Sequence, residues 1–200
     1  MEFNGLFIRL RKIEPADITL VANWLSSEEF KNNLYEIYSK DGRDSYENIV
    51  INFMQENAND LCPNKYFIIE SKSREIPIGL SLIKNIDWKN RTAEHNYIIG
   101  EESNRNSIYG GDTSISVCYY LFNTLNLNKV IGYTYDFNIK AQRINNFASK
   151  KEGILKKHHK HEGSFINVII NGVTKRNFNV FIAQNKKGLL HKYFSRGIFK

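Results

Sequence analysis

Apolar and polar residues alternate along Leu6-Phe-Ile-Arg-Leu-Arg11, the two-residue period of a half-buried strand. The period then lengthens. Ile18, Val21, Ala22 and Leu25 recur at helical spacing. Glu14-Pro15-Ala16-Asp17 starts this helix, because proline is tolerated in a first turn and acidic residues there suit the helix dipole. Ile49, Phe53 and Met54 predict a second helix from Ser45 to about Asn57. The stretch between, Glu28 to Arg43, has mixed charge and reads as irregular or short-helical. Next come Lys65-Tyr-Phe-Ile-Ile-Glu-Ser71 and Ile76-Pro-Ile-Gly-Leu-Ser-Leu-Ile83, strand-like and joined by a turn at Ser73-Arg74-Glu75. Asn85 to Arg91 connects them to a third strand, Ala93 to Gly100, so an antiparallel meander is expected.

In the second half, Ile115, Cys118, Tyr119 and Phe122 predict a helix running to about Leu125. A strand over Lys129–Tyr135 follows, then a helix from Asn138 to about Ser149 with Ala141, Ile144 and Ala148 inward. Phe165–Ile170 and Phe178–Ala183 read as two further strands, with Asn171-Gly172 as a turn signal between them. Lys156-Lys-His-His-Lys-His161 reads as a solvated basic loop: no carboxylate or cysteine stands at a ligand-like spacing and the lysines repel a cation, so no metal site is expected. The chain reads as one domain over residues 1–184 with a basic extension at 185–200, whose Leu189, Leu190, Tyr193 and Phe194 suit packing on the domain or contact with a second copy, a homodimer.

Composition adds less. The net charge of +7 suits a phosphate-bearing ligand or an acidic partner and does not choose between them. Nucleic acid is disfavoured as a partner because no readout motif accompanies the basic tail. Cys62 and Cys118 lack metal-type spacing and form no disulfide framework, and Cys118 falls on the apolar helix stripe. No run is long and apolar enough to span a membrane and the N-terminus lacks a leader pattern, so the expectation is a cytoplasmic protein without a membrane partner.

The candidate chemistry lies in Arg105-Asn-Ser-Ile-Tyr-Gly-Gly-Asp-Thr-Ser-Ile-Ser-Val117. A strand, a short loop with adjacent glycines and a helix N-terminus is one way to hold a phosphate, since free N–H groups and the positive end of the dipole point at the anion. Gly110 and Gly111 would let the main chain approach a ligand without a Cβ in the way.

The order of elements and several local sequences resemble the GNAT acetyltransferase superfamily. Phe7-Ile-Arg-Leu-Arg11 through Trp24-Leu25 is similar to its opening strand and helix. Asn85-Ile-Asp-Trp-Lys-Asn-Arg-Thr-Ala-Glu94, Leu125-Asn-Leu-Asn-Lys-Val130 and Asn138-Ile-Lys-Ala-Gln-Arg143 resemble the branch that acetylates N-terminal alanines of ribosomal proteins. The resemblance covers roughly residues 6 to 155. It implies a mixed α/β fold: a mostly antiparallel central sheet with helices on both faces, and acetyl-CoA in a wedge between the fourth and fifth core strands. It also implies that backbone groups of Tyr97, Ile98, Ile99 and Gly100 pair with the pantetheine. The loop Asn106, Ser107, Ile108, Tyr109, Gly110, Gly111, Asp112 would wrap the pyrophosphate, and Asn138 would face the pantetheine from the other strand. Arg143 joins them as a cofactor-binding position on the following helix.

The pattern is broken in two places. Asn106 and Ile108 stand where the family has glycines; asparagine tolerates positive φ, whereas a β-branched residue does not. Asn145 stands where many members place a tyrosine that protonates the departing thiolate. The implied activity is transfer of an acetyl group to a primary amine, of a small molecule or a peptide, by direct attack. Glu94, just before the wedge, is the candidate general base and a backbone N–H near Tyr97 or Ile98 the candidate carbonyl polariser. His95 would face the opposite side of the strand. The competing reading is a GNAT-fold binding or regulatory module with an eroded cofactor loop.

Overall fold

The computed structural model describes residues 2–28, 30, 45–100, 102–105, 107–145, 149–188 and 190–199. Its centre is an eight-stranded sheet. The strands are β1 (Phe3–Asn4), β2 (Ile8–Lys12), β3 (Lys65–Ser71), β4 (Ile76–Asp87), β5 (Thr92–Ile99), β6 (Lys129–Tyr135), β7 (Lys150–His161) and β8 (Ser164–Thr174). They lie in the order β1-β2-β3-β4-β5-β6-β8-β7. Every pairing is antiparallel except β5 with β6.

Helices cover both faces. On the front, α1 (Ile18–Ser26) and α2 (Tyr46–Ala58) pack Val21, Ala22, Leu25, Val50 and Phe53 against Tyr66, Ile68, Leu80 and Leu82. On the back, α3 (Ser107–Tyr119), a π-helical turn (Tyr120–Thr124), α5 (Lys175–Asn185) and α6 (His191–Ser195) bury Val117, Leu121, Phe122, Phe178 and Tyr193 on Ile8, Leu10 and Ile69. The short α4 (Ile139–Asn145) follows β6. Each fully buried aliphatic side chain adds about 1.5–3 kcal/mol of transfer free energy, so these two layers are the main hold on the sheet.

Polar groups then fix positions that apolar packing leaves free. The Arg11 guanidinium donates from Nη1 and Nη2 to the Asp17 carboxylate at 2.7 and 2.9 Å, and from Nε to Glu70 at 2.8 Å. Arg9 adds two bonds to the other oxygen of Glu70. Burial would raise the Glu70 pKa, but the two guanidiniums overcome it and hold the carboxyl below its ordinary value. The network ties the start of α1 to the middle of the sheet. Asn57 ties α2 in the same way: its Nδ2 donates to the Tyr66 carbonyl and its Oδ1 accepts from the Tyr66 N–H.

The two helices, the three meander strands and β6 lie where the hydrophobic pattern puts them, and Cys118 is buried in the back core. The Glu28–Arg43 segment, apart from Glu28 and Phe30, lies outside the described residues, as does part of the expected Asn138–Ser149 helix. The C-terminal third differs. Asn171-Gly172 is no turn: β8 runs straight through it, and Gly172 leaves room for the Glu152 carboxylate crossing from β7. Phe178–Ala183 is helix, with Phe178 buried and Phe181 and Ile182 packed beside it at spacings of three and four residues. Thr174 caps it, its Oγ1 accepting from the Asn177 N–H at 3.2 Å. Lys156–His161 is strand rather than loop. Its alternation is hidden by two register shifts, and as an edge strand with one partner it carries lysines that discourage further pairing. His159 and His161 stack on Tyr135 and Phe137, and the Tyr135 hydroxyl lies 3.1 Å from His159 Nε2. Among the described residues, no three His, Cys, Asp or Glu side chains gather as a metal ion would require. Leu190, Tyr193 and Phe199 of the basic C-terminal segment are buried in the back core.

Candidate active site

The strands β5 and β6 pair only at Thr92–Lys129, Ala93–Val130 and Glu94–Ile131. Beyond that they part. β5 stays bonded to β4 as far as Ile99, and β6 stays bonded to β8 as far as Tyr135. The result is a slot whose two walls are strand edges. Ile98 pairs with Leu80, and its carbonyl lies against Gly79 on the β4 side. The Ile99 carbonyl points the other way, where the Arg105 Nε donates to it at 3.0 Å. Alternation along the strand therefore aims the N–H and C=O of His95, Tyr97 and Ile99 into the slot, and those of Ile98 away from it. Of the two amides that the sequence suggests as carbonyl polarisers, only that of Tyr97 faces the opening.

Asn96 marks the branch point. With its amide nitrogen toward the carbonyls, it donates to both His95 O and Tyr133 O at 3.3 Å, one on each side of the split. Nothing in the sequence pattern singles this residue out. Arg105 is a second residue whose role only the fold reveals. Besides Ile99 O it bonds Gly100 O at 2.7 Å, which turns the chain off the end of β5 toward α3. Gly100 itself is needed because a Cβ there would strike the Trp24 indole.

The helix begins earlier than the glycine pattern suggests. Ser107 is its first residue, so Ile108, Tyr109, Gly110, Gly111 and Asp112 are helical and do not form a wrapping loop. Asn106 and the Ser107 side chain lie outside the described residues. The first-turn N–H groups at this end belong to residues 107–110, beside the end of β5. Ile108 has no positive φ and its side chain is half exposed, so it carries none of the strain that a glycine-type loop would impose. Gly110 serves packing: a Cβ there would sit 2.6 Å from the Tyr97 hydroxyl, so the glycine lets α3 lie close on β5. Asp112 points away from the slot. Its carboxylate accepts from the N–H groups of Leu6, Phe7 and Ile8 at 2.9, 2.6 and 3.1 Å and from the Tyr193 hydroxyl at 2.6 Å. Its geometry is that of a tie between α3, the β1–β2 turn and α6, not of an anion contact. Asn138 caps α4, its Oδ1 accepting from the Ala141 N–H at 3.1 Å. Arg143 is exposed on α4, and Asn145 ends that helix.

Glu94 and His95 lie on opposite faces. Glu94 pairs with Lys84 on the front face, in line with Asn96 and Ile98. Its carboxylate is half-buried and makes no hydrogen bond or ion pair among the described residues. Burial holds the Lys84 ammonium below its usual pKa, against the opposing pull of Glu94. His95 is buried on the back, 3.1 Å from Ser81 Oγ and stacked on Tyr97. Burial pushes its pKa down to about 3, so the folded protein holds it neutral. An unfolded chain protonates this ring below pH 6.5 while the native state does not, so stability falls with pH from 6.5 toward 3. The loss is about 2 kcal/mol at pH 5. Urea unfolding at pH 7 and pH 5 checks this: His95→Gln should lose less stability than the wild type between those pH values, and an equal loss in both would contradict the assignment.

A strand pair that splits after its third residue pair, next to a helix N-terminus, is the arrangement that the resemblance to the acetyltransferases implies. Residues 8–146 match the family model of the GNAT acetyltransferase domain, and the chain belongs to that family. Solved structures repeat the fold. A probable acetyltransferase superposes with a TM-score of 0.74 at 19% identity, over 88% of this chain and 98% of that one. The spermidine N-acetyltransferase of Vibrio cholerae, in complex with CoA and spermine, gives 0.73 at 20% identity, over 86% and 98%. A GNAT-family acetyltransferase of Bacillus anthracis gives 0.70 at 17% identity, over 88% and 99%. No curated protein sequence matches this chain.

Proposed function

We propose that this protein transfers the acetyl group of acetyl-CoA to a primary amine, with the β5–β6 slot as the reaction centre. The observation that carries the reading is the edge of β5 beyond its last pair with β6, where the Tyr97 backbone groups and the Ile99 N–H face the opening beside the first turn of α3. An extended amide-bearing arm can pair with such an edge as a strand would, and a diphosphate suits the positive end of the α3 dipole at its first turn, residues 107–110. Arg143, exposed on the neighbouring helix, is the cation within reach of the outer phosphates. The solved relative that holds CoA and spermine supports the choice of thioester and of an amine acceptor. The free Cys62 and Cys118 suit a reducing compartment such as the cytoplasm.

The chemistry asks little of the protein beyond placement and one proton. An alkylamine with a pKa near 10.4 must lose a proton before it attacks, at a cost of roughly 4–5 kcal/mol at pH 7. Glu94, with an uncommitted carboxylate on the front face at the mouth of the slot, is the group that takes it. The amine nitrogen bonds to the thioester carbon, the Tyr97 N–H steadies the charge on the carbonyl oxygen, and the carbon–sulfur bond breaks to release the thiolate. The thiolate takes its proton from the solvent or from the acceptor, since Asn145 has no acidic proton to give.

Two measurements test this together. CoA at a hundred times its Kd should stabilise the fold by about 2.7 kcal/mol, read as a rise in Tm. Acetyl-CoA mixed with a panel of amines (spermidine, glucosamine, a peptide with a free alanine N-terminus) should release free thiol with at least one of them. No thermal shift at millimolar CoA would favour a binding module built on the same fold.

A further inference from the structure

On the back of the sheet, α3 touches β5 with one flank and reaches toward β2 with the other. The slot lies on the first flank. On the second, the C-terminal segment crosses over the N-terminal strands and leaves a groove of about 900 Å³. Its walls are Phe3, Tyr119, Tyr120, Ile198 and Phe199. Four of these rings are held in two stacks, Tyr119 on Phe199 at 4.0 Å and Phe3 on Tyr120 at 4.4 Å, which fixes the walls. A smaller recess of about 380 Å³ adjoins it, with Ser73 and Tyr109 in its lining. Lys72 and Arg196 line both spaces and so stand at the junction.

The charges at that junction do not cancel. Lys72 is exposed, and its Nζ donates to the Gly5 carbonyl at 2.7 Å and makes no ion pair among the described residues. The Arg196 guanidinium makes no ion pair or side-chain hydrogen bond among the described residues. Arg9, the third cation nearby, is bound to Glu70. Asp112 is the one carboxylate that favours the charge on Lys72, and its oxygens are filled by three backbone N–H groups and the Tyr193 hydroxyl. Burial, together with Arg196 and Arg9, holds the Lys72 ammonium below its ordinary pKa. Two like charges beside an open cavity, with no acidic side chain among the described residues bonded to either, are relieved by an anion.

We propose that this groove is a second ligand site, separate from the acetyl-CoA slot, for a small molecule with a phosphate or carboxylate head and an aromatic body. The head sits between Lys72 and Arg196, where a charge-assisted bond to each is available. The body lies along Phe3, Tyr119 and Ile198, the part-exposed members of the lining. The occupant is not the acetyl donor, because the groove opens on the far flank of α3 from the split strands.

The test titrates phenyl phosphate and, separately, benzoate into the full chain, followed by calorimetry and by backbone amide NMR, with and without saturating CoA. Either probe should bind at millimolar or lower concentration in both conditions, and should shift amides of residues 119–120 and 196–199. The tighter of the two identifies the head group. Arg196→Ala, at an exposed position that holds no fold contact, should weaken binding about tenfold, and Lys72→Met should do the same. Inorganic phosphate, which lacks the body, should bind at least several-fold more weakly than phenyl phosphate. The proposal is overturned by no saturable binding at 10 mM (on the order of the weakest useful affinity), by displacement of the probe by CoA, or by unchanged affinity in Arg196→Ala. These readouts do not require acetyl transfer, so they stand apart from the outcome for the slot.

Discussion

Replacing Glu94 with glutamine is expected to lower kcat for acetyl transfer by a factor of about 10²–10⁴, the usual contribution of a positioned general base. The same change should leave the affinity for CoA within about twofold of the wild type, because Glu94 lies on the front face while the backbone groups proposed to hold the donor belong to Tyr97, Ile99 and residues 107–110. The two readouts together separate a proton-transfer role from a structural one. A misfolded variant would lose both. The expected pattern is steady-state turnover that collapses while the CoA-induced rise in Tm persists. Turnover that stays at the wild-type level at every pH would remove Glu94 from the reaction and return attention to water or to another group on the acceptor side.

The largest effect on stability is expected at Asp112. Replacement by alanine strands the N–H groups of Leu6, Phe7 and Ile8 and the Tyr193 hydroxyl, all in or beside the back core. Breaking a buried, charge-assisted set of this kind costs about 3–5 kcal/mol. For a chain of this size each kcal/mol moves Tm by roughly 2–4 °C, so a fall of about 6–20 °C is expected in a thermal melt. Tyr193→Phe removes one of the five donors, the fifth being the Ser116 hydroxyl at 3.4 Å, and should cost about 1 kcal/mol. If Asp112→Ala melted within a degree or two of the wild type, the carboxylate would not be the tie between α3, the β1–β2 turn and α6. Gly5 belongs to the same argument, since a Cβ there would collide with this carboxylate.

Asp112 also shows what the chain discloses by itself and what it withholds. An acidic residue after two glycines at a strand-to-helix junction reads as part of an anion loop. Its real partners are more than a hundred positions earlier and eighty later, and local sequence cannot show them. Long, strongly periodic segments are legible: Ile18–Leu25 and Ile49–Phe53 declare their buried stripes, and Lys65–Ser71 and Lys129–Tyr135 fall on the observed strands. The C-terminal third is not. Asn171-Gly172 carries a strong local turn signal, yet β6 and β7 flank it on both sides and hold it extended. Phe178–Ala183 shows how a short apolar run serves a helix as well as a strand, and there the Thr174 cap was the discriminating signal.

The slot was legible in outline only. The split between β5 and β6 is a property of register, which ends at Glu94–Ile131, with Asn96 between the two carbonyl edges just beyond it. Which amides face the opening follows from pairing with β4, information that no single strand carries. The helix start at Ser107, inside the stretch read as a loop through Asp112, moves the proposed phosphate contact to residues 107–110 and leaves Gly110 to pack against Tyr97.

Amide hydrogen exchange with and without CoA addresses this slot most directly. Bound donor should slow exchange at Tyr97 and Ile99 and at residues 107–110, and leave Ile98, already bonded to β4, unchanged. Protection confined to other parts of the chain, or none at saturating CoA, would contradict the assignment of the parted strands as the acetyl-CoA seat.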